Sequence, residues 1–271
     1  MERYPYNISW MTQRRIKSRK VKIIRVCLLI LLAAHVSAQE TRSTLTLTQT
    51  IPLAGETFHV QGIDIDGSRL WVTSVDTKAK RGLLFEYKLP EGRLLRSVEI
   101  HDGIRYHPGG MMADGESLWI PVAEYKREST AVIQRRNKQT LALESQFVVN
   151  DHIGAIAVTP AGLIGANWDA RDLYIWDRTG KQIRKVANSS QIAFQDMKFE
   201  QGKLIGSGLR SDKSGEIVWM QWPSLEVVKR LSVGRTDRGI SYTHEGMATK
   251  RTKLWFLPED GPSRLFAFTL N

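Results

Sequence analysis

Three histidines in this 271-residue chain occupy the same place in a recurring local pattern. His59, His107 and His152 each stand three positions before a small residue, Gly62, Gly110 or Ala155, which an apolar residue follows. Fourteen positions after the small residue stand Asp76, Glu124 and Asp169. Imidazoles and carboxylates exchange protons near neutral pH, and both ligate divalent metals. Gathered at one place, these residues would form an acid–base site or a divalent-metal site on His59, His107 and His152. A structural reading competes with both, because one His–acid pair repeated in every unit is what an internal brace would produce.

Two further copies of the pattern, Asp196-Met197 and Gly246-Met247, break its rules together. Ala193 and Thr243 stand where the histidines were, Asp196 takes the small residue's place, and Arg210 replaces an acid that Asp260 retains. His244-Glu245 shifts the histidine by one place and adds a carboxylate. The residues just before the small position are Gln61, Gly109, Gly154, Gln195 and Glu245. Local rules tend to fail at functional sites. Glu245, Asp196 and His244 are therefore the catalytic candidates, with Glu245 or Asp196 as general base and His244 or Arg210 holding an anionic or carbonyl group. Gln61, Gln195, Arg210, His107 and Glu124 are the ligand-binding candidates. Trp168, Tyr125 and Tyr106 would supply an aromatic wall. Alternatively, the same polar residues satisfy one another as a plug in a narrow channel.

The elements that must position these groups read as strands. In all five copies a Leu follows the small residue by eight positions, at Leu70, Leu118, Leu163, Leu204 and Leu254. Turn pairs such as Asp66-Gly67 and Asp114-Gly115 separate a short apolar strand from the Leu strand. Alternating segments follow, Leu84–Tyr87, Val132–Arg135, Leu173–Trp176, Ile217–Met220 and Leu265–Phe268, and a fourth strand such as Leu94–Ile100 or Glu226–Val233 completes a unit. Repeats of this length built from four strands predict an all-β, five-bladed β-propeller. The fifth unit lacks its fourth strand after Leu265–Phe268, and Leu45–Leu53 alternates as a strand ahead of the first unit. The N-terminal strand is thus expected to complete blade five and remove an open edge. Small residues fit where first strands converge on the axis. Residues before each first strand and residues near the end of each second strand should then meet on one rim.

The ends of the chain account for most of its charge. The net charge is +11, yet eight basic residues and only Glu2 as an acid lie within residues 1–38, which leaves +4 for the rest. That mild excess argues against a nucleic-acid partner. A basic stretch to Arg25, an apolar run from Val26 to Ala34 and Val36-Ser37-Ala38 before Gln39 have the form of a cleaved signal peptide. The expected organisation is a signal peptide at 1–38, a short linker at 39–42 and one propeller domain at 43–271. The processed protein would be periplasmic or secreted, monomeric and without a stable membrane anchor. It would have no cysteine, because Cys27 lies in the apolar run. The expected partner is a small-molecule or peptide ligand. No cofactor is required by the pattern, and a divalent metal at the axial mouth stays open.

Three strings, Tyr106-His107-Pro108-Gly109-Gly110-Met111, Leu118–Tyr125 and Asp151–Ile156, resemble a secreted bacterial propeller family known only as a domain of unknown function. That resemblance implies the fold and an export route, without a reaction. The His–acid pairs resemble the structural tetrad of WD40 repeats, although Trp176-Asp177 is the one Trp-Asp here. Phe58–Ile63 is similar to the opening motif of five-bladed glutaminyl cyclotransferases, and Glu245-Gly246 to a late motif of that family. Val72-Thr73-Ser74 stands where that family has a glutamate, and Met247 where it has a tryptophan. What this second resemblance implies for the site is confined to Gln61 and Glu245.

Overall fold

Strand β1 (Leu45–Pro52) alternates polar and apolar residues and precedes a first blade of β2 (His59–Asp66), β3 (Arg69–Asp76), β4 (Arg81–Lys88) and β5 (Arg93–Glu99). The computed structural model describes residues 43–271, so the expected signal peptide and linker lie outside the described residues. Blade two holds a split inner strand, β6 (His107–Pro108) and β7 (Met112–Asp114), then β8 (Ser117–Ala123), β9 (Ala131–Asn137) and β10 (Leu143–Val149). Blade three is β11 (Ile153–Thr159), β12 (Gly162–Asn167), β13 (Asp172–Trp176) and β14 (Gln182–Ala187). Blade four is β15 (Ala193–Glu200), β16 (Lys203–Leu209), β17 (Gly215–Gln221) and β18 (Glu226–Val233). Blade five is β19 (Glu245–Lys250), β20 (Lys253–Pro258) and β21 (Arg264–Leu270), with β1 as its outer strand.

The ring closes as expected. β1 runs antiparallel to β21 from Leu45 opposite Leu270 to Pro52 opposite Arg264. Thr44 and Asn271 exchange main-chain hydrogen bonds at one end of this pairing. At the other end Leu53 N–H donates to Ser263, and Ala54 N–H donates to Gly92 in blade one. Closure therefore couples the first and last blades and removes an edge that would otherwise template pairing.

Five apolar clusters fill the spaces between successive blades. Val60, Ile63 and Val72 of blade one pack with Ala248 and Leu257 of blade five, together with Ile51 of β1. Trp119 and Ile133 pack with Ile156 and Trp176 between blades two and three. Each blade thus buries both faces, which explains second strands, β3 and β8, with near-continuous burial rather than alternation. No helix among the described residues is long and apolar enough to cross a membrane.

The small residues of the repeat sit where inner strands nearly touch. A Cβ on Gly62 would collide with Gly110 Cα, and one on Gly110 would lie 2.5 Å from Asp196 Oδ1. Gly110 donates its N–H to Gly154 and accepts from Ile156 N–H, so the break between β6 and β7 lets blade two bond blade three at the axis. One carboxylate fills the space that remains. Asp196 Oδ2 accepts from Ile63 and Met247 N–H, both at 3.0 Å, while Oδ1 accepts from Met197 N–H and from Lys198 Nζ at 2.6 Å. Lys198 also donates to the Met111 carbonyl at 2.7 Å. Four blades are joined through this buried pair.

Candidate active site at the axial mouth

The position before each small residue is where the backbone leaves the ladder. Pairing slips by one residue across Gln61 in β2, Gly154 in β11 and Gln195 in β15, so each is a bulge residue. Blade two breaks at Gly109. In β19 the ladder is unbroken, and Glu245 instead adopts φ 116°, a conformation that side chains with a Cβ rarely take. Gln61, Gly154, Gln195 and Glu245 consequently line one cleft of about 200 Å³.

One wall of the cleft is aromatic. The His107 ring stacks on Tyr125 at 4.3 Å between centroids and lies 5.3 Å from His152. His152 meets Trp168 edge-on at 4.6 Å, and the Arg127 guanidinium lies 5.8 Å over Trp168. Trp168 belongs to a short 3-10 turn, Trp168–Ala170, in which Asp169 and Ala170 take positive φ. His152 Nδ1 donates to the Lys126 carbonyl at 3.0 Å, which fixes its ring.

The opposite wall carries the charge. His59 Nδ1 lies 2.7 Å from Glu259 Oε1, and His244 Nε2 lies 3.3 Å from Glu245 Oε1. Burial disfavours the His59 imidazolium, but the Glu259 contact and the Glu245 charge outweigh it and hold the pKa above the ordinary histidine value. His59 in turn holds Glu259 below the usual carboxylate range. Burial pushes the Glu245 carboxyl up to about 8, with His59 opposing and Glu259 adding to the shift. His107 is held well below the ordinary value by burial first and then by the charges of His152 and His59. Burial also lowers His152 and His244. The cleft thus sets a proton-retaining carboxyl and a charge-favouring imidazole beside neutral imidazoles.

His59, Gln61, His107, His152, Gln195 and Glu245 meet at this cleft. His244 stands beside Glu245. Three other expected site residues are placed elsewhere. Asp196 has both oxygens engaged in the axis and is fully buried. Arg210 pairs with Glu216 at 3.2 Å. Glu124 accepts from Thr130 N–H and its hydroxyl, and pairs with Lys126 at 2.8 Å.

The expected His–acid braces are corrected by the same contacts. Asp76 bonds Ala79 N–H and Arg81, and Asp260 pairs with Arg264, as Glu124 bonds Thr130. In blades one, two and five the recurring acid therefore clasps the hairpin between the second and third strands, and in blade three Asp169 instead pairs with Arg127 of blade two. The alternative of a metal site on His59, His107 and His152 gives way to a different group of residues. Among the described residues, the group whose ligand atoms converge is His59, Glu245 and Glu259, all within 4.8 Å of one another. Glu259 escaped the repeat because the pattern marks its neighbour Asp260. Lys198 had a legible signal, since a strand period of two puts it on the same face as Asp196.

A crystal structure of Myxococcus xanthus glutaminyl cyclase is similar with a TM-score of 0.64 at 12% identity, covering 85% of this chain and 97% of that one. The Neurospora crassa Pan2 WD40 domain is similar with a TM-score of 0.47 at 10% identity, covering 83% of this chain and 67% of that one. At such identities the first likeness shows the shared fold. No curated protein matches the sequence significantly. A family of unknown function (DUF6454) matches over residues 48–210, more than half of the chain, and the chain belongs to that family.

Proposed function

We propose that this propeller is an enzyme acting on a small polar molecule or a peptide end seated at the axial mouth, with Glu245 and His59 as its proton-handling groups. The observation that carries the reading is Glu245 itself. Its carboxyl is buried, has neither a lysine nor an arginine partner among the described residues, and projects from a backbone held at φ 116°. Strained backbone and unpartnered buried carboxyls persist where the surrounding structure holds them for a purpose. In a cyclotransferase- or hydrolase-like reaction, the ionised form of Glu245, a stronger base than an ordinary carboxylate because its pKa is pushed up to about 8, takes the proton of the nucleophile attacking a carbonyl and returns it to the leaving group. His59 then donates to the oxygen on which charge develops. Gln61 and Gln195 orient the polar part of the ligand, and Tyr125, His107 and Trp168 cover its apolar part. A cavity of about 200 Å³ is below the usual range for whole drug-sized ligands, so it suits one end of a larger molecule.

The test is ammonia or acid release from peptides with N-terminal glutamine and from simple amides and esters. Turnover should fall about 10²- to 10⁴-fold in Glu245→Gln. Equal turnover by the variant and the native protein would overturn the assignment. A second reading, a non-catalytic propeller that presents the rim to a ligand, draws support from the small cavity and from the full engagement of Asp196. Ligand-induced thermal shifts without turnover of any tested class would favour it.

The setting proposed for this activity is periplasmic or extracellular, as a monomer. The support is the basic, apolar and small-residue order of residues 1–38. Mass spectrometry of the exported protein should find Gln39 as its first residue, and a retained Met1 would contradict export by cleavage.

A further inference from the structure

Glu245 and Glu259 differ from the other partnered acids near this rim. Asp76, Glu124, Asp169 and Asp260 each meet an arginine or a lysine: Arg81, Lys126, Arg127 and Arg264. The partners that Glu245 and Glu259 meet are histidines, His244 and His59. Two carboxylates converge there with one imidazole nitrogen, and all three ligand atoms lie within 4.8 Å of one another. The three come from separate elements: His59 opens β2, Glu245 opens β19, and Glu259 follows β20.

We infer that His59, Glu245 and Glu259 form a divalent-cation site with zinc as its preferred ion. The inference concerns the same cleft and rests on its being a reaction site; in the zinc-bound form His59 and Glu245 serve as ligands, and the ion takes over from His59 at the developing charge. Zinc binds His and carboxylate ligands at about 2.0–2.2 Å, and catalytic sites use three protein ligands with one position left open. Ligand atoms on a tetrahedral ion at such lengths are separated by roughly 3.4 Å. The His59–Glu259 contact of 2.7 Å must therefore open slightly, and the three atoms, all within 4.8 Å of one another, must settle around the ion. Glu259, which is 41% exposed, is free to rotate its carboxylate away from His59. His244 Nε2 at 3.3 Å from Glu245 Oε1 stands as the outer partner that orients a ligating carboxylate. The donor set also suits the occupant chemically, because an imidazole favours zinc over magnesium and calcium, which select oxygen. His59 and Glu245 both line the cleft, so an ion held there would supply Lewis-acid polarisation of a carbonyl group on the seated ligand.

The test uses the mature chain, stripped with a chelator and titrated calorimetrically with zinc, manganese and calcium chlorides in the absence of any substrate. One zinc per chain is expected, bound more tightly than calcium. Glu259→Gln and His59→Gln should each weaken zinc binding by at least tenfold, while Asp76→Asn binds as the native chain does. Circular dichroism establishes folding of each variant. Because Glu259 is partly exposed, its variant decides the matter even if His59→Gln fails to fold. No stoichiometric zinc, or zinc binding unchanged in Glu259→Gln, overturns the inference. Glu245-dependent turnover without zinc binding also overturns it and leaves the acid–base reading intact. Zinc lost in the variants supports the site even where no turnover is found.

Discussion

Glu245 combines a positive φ with a buried carboxyl beside a second acid, and both features oppose folding. A non-glycine residue in such backbone costs on the order of 1–3 kcal/mol, against which glycine's extra unfolded-state entropy is smaller. Glu245→Gly should therefore raise stability by about 1 kcal/mol while emptying the cleft of its carboxyl. A urea midpoint that moves upward at unchanged slope checks this, and a lower midpoint would mean that the carboxyl contributes to the fold. The histidines make a separate prediction. His107, His152 and His244 have folded pKa values depressed by burial. The unfolded chain thus binds protons first as pH falls below about 6.5, and the stability these groups hold above that value is lost on acidification. His59 has the opposite sign, since its raised pKa contributes stability that is complete below about 6.5 and is lost as pH rises through the folded pKa. Between pH 6.5 and pH 5 the Glu245 carboxyl, pushed up to about 8, works in the opposite direction, so the check is differential: the melting temperature of His107→Phe, which keeps the stack on Tyr125, should fare better on acidification than that of the native chain.

At the scale of the elements, the inner strands make the site by departing from ideal pairing. Bulges at Gln61, Gly154 and Gln195 re-aim those positions toward the mouth, and the gap between β6 and β7 bonds blade two to blade three. Neighbouring glycines here have unequal duties. A Cβ on Gly109 would collide with the Gly154 carbonyl oxygen, whereas a Cβ on Gly154 would find its nearest atom at 3.9 Å. Overpacking of this kind costs about 1–3 kcal/mol. Gly109→Ala should lose about that much, and Gly154→Ala should stay within about 0.5 kcal/mol of the native chain. Equal losses in thermal denaturation would show that the axial bridge is not what Gly109 protects.

For the whole molecule, cooperativity depends on two couplings, the β1–β21 closure and the Asp196–Lys198 pair at the axis. Asp196 accepts main-chain N–H groups from blades one, four and five, while Lys198 reaches blade two. Removing one partner of a buried ion pair costs roughly 3–5 kcal/mol. Asp196→Ala strands three N–H groups in addition to the lysine, so its loss should reach that range and exceed the loss in Lys198→Met. Equilibrium urea unfolding measures both, and a larger effect at Lys198 would reverse the assigned hierarchy. Asp196 therefore supports the site by holding blades one and five together beneath Glu245.

Much of this protein was legible along the chain. The five small residues and the Leu that follows each are local features with a constant spacing, and packing around an axis demands them wherever they occur. That periodicity carried the blade number, the closing strand and the rim on which His59, Gln61 and Glu245 meet. Which polar groups stay free on that rim depends on partners far apart in sequence. Asp196 and Glu245 look alike as acids that break the pattern, but Ile63, Met247 and Lys198 occupy one and leave the other. Glu259 carried no repeat signal and reaches His59, two hundred residues earlier, because closure of the ring sets blade five against blade one. Spacing specifies where side chains converge, and only the assembled ring decides which of them are already engaged by the backbone of another blade.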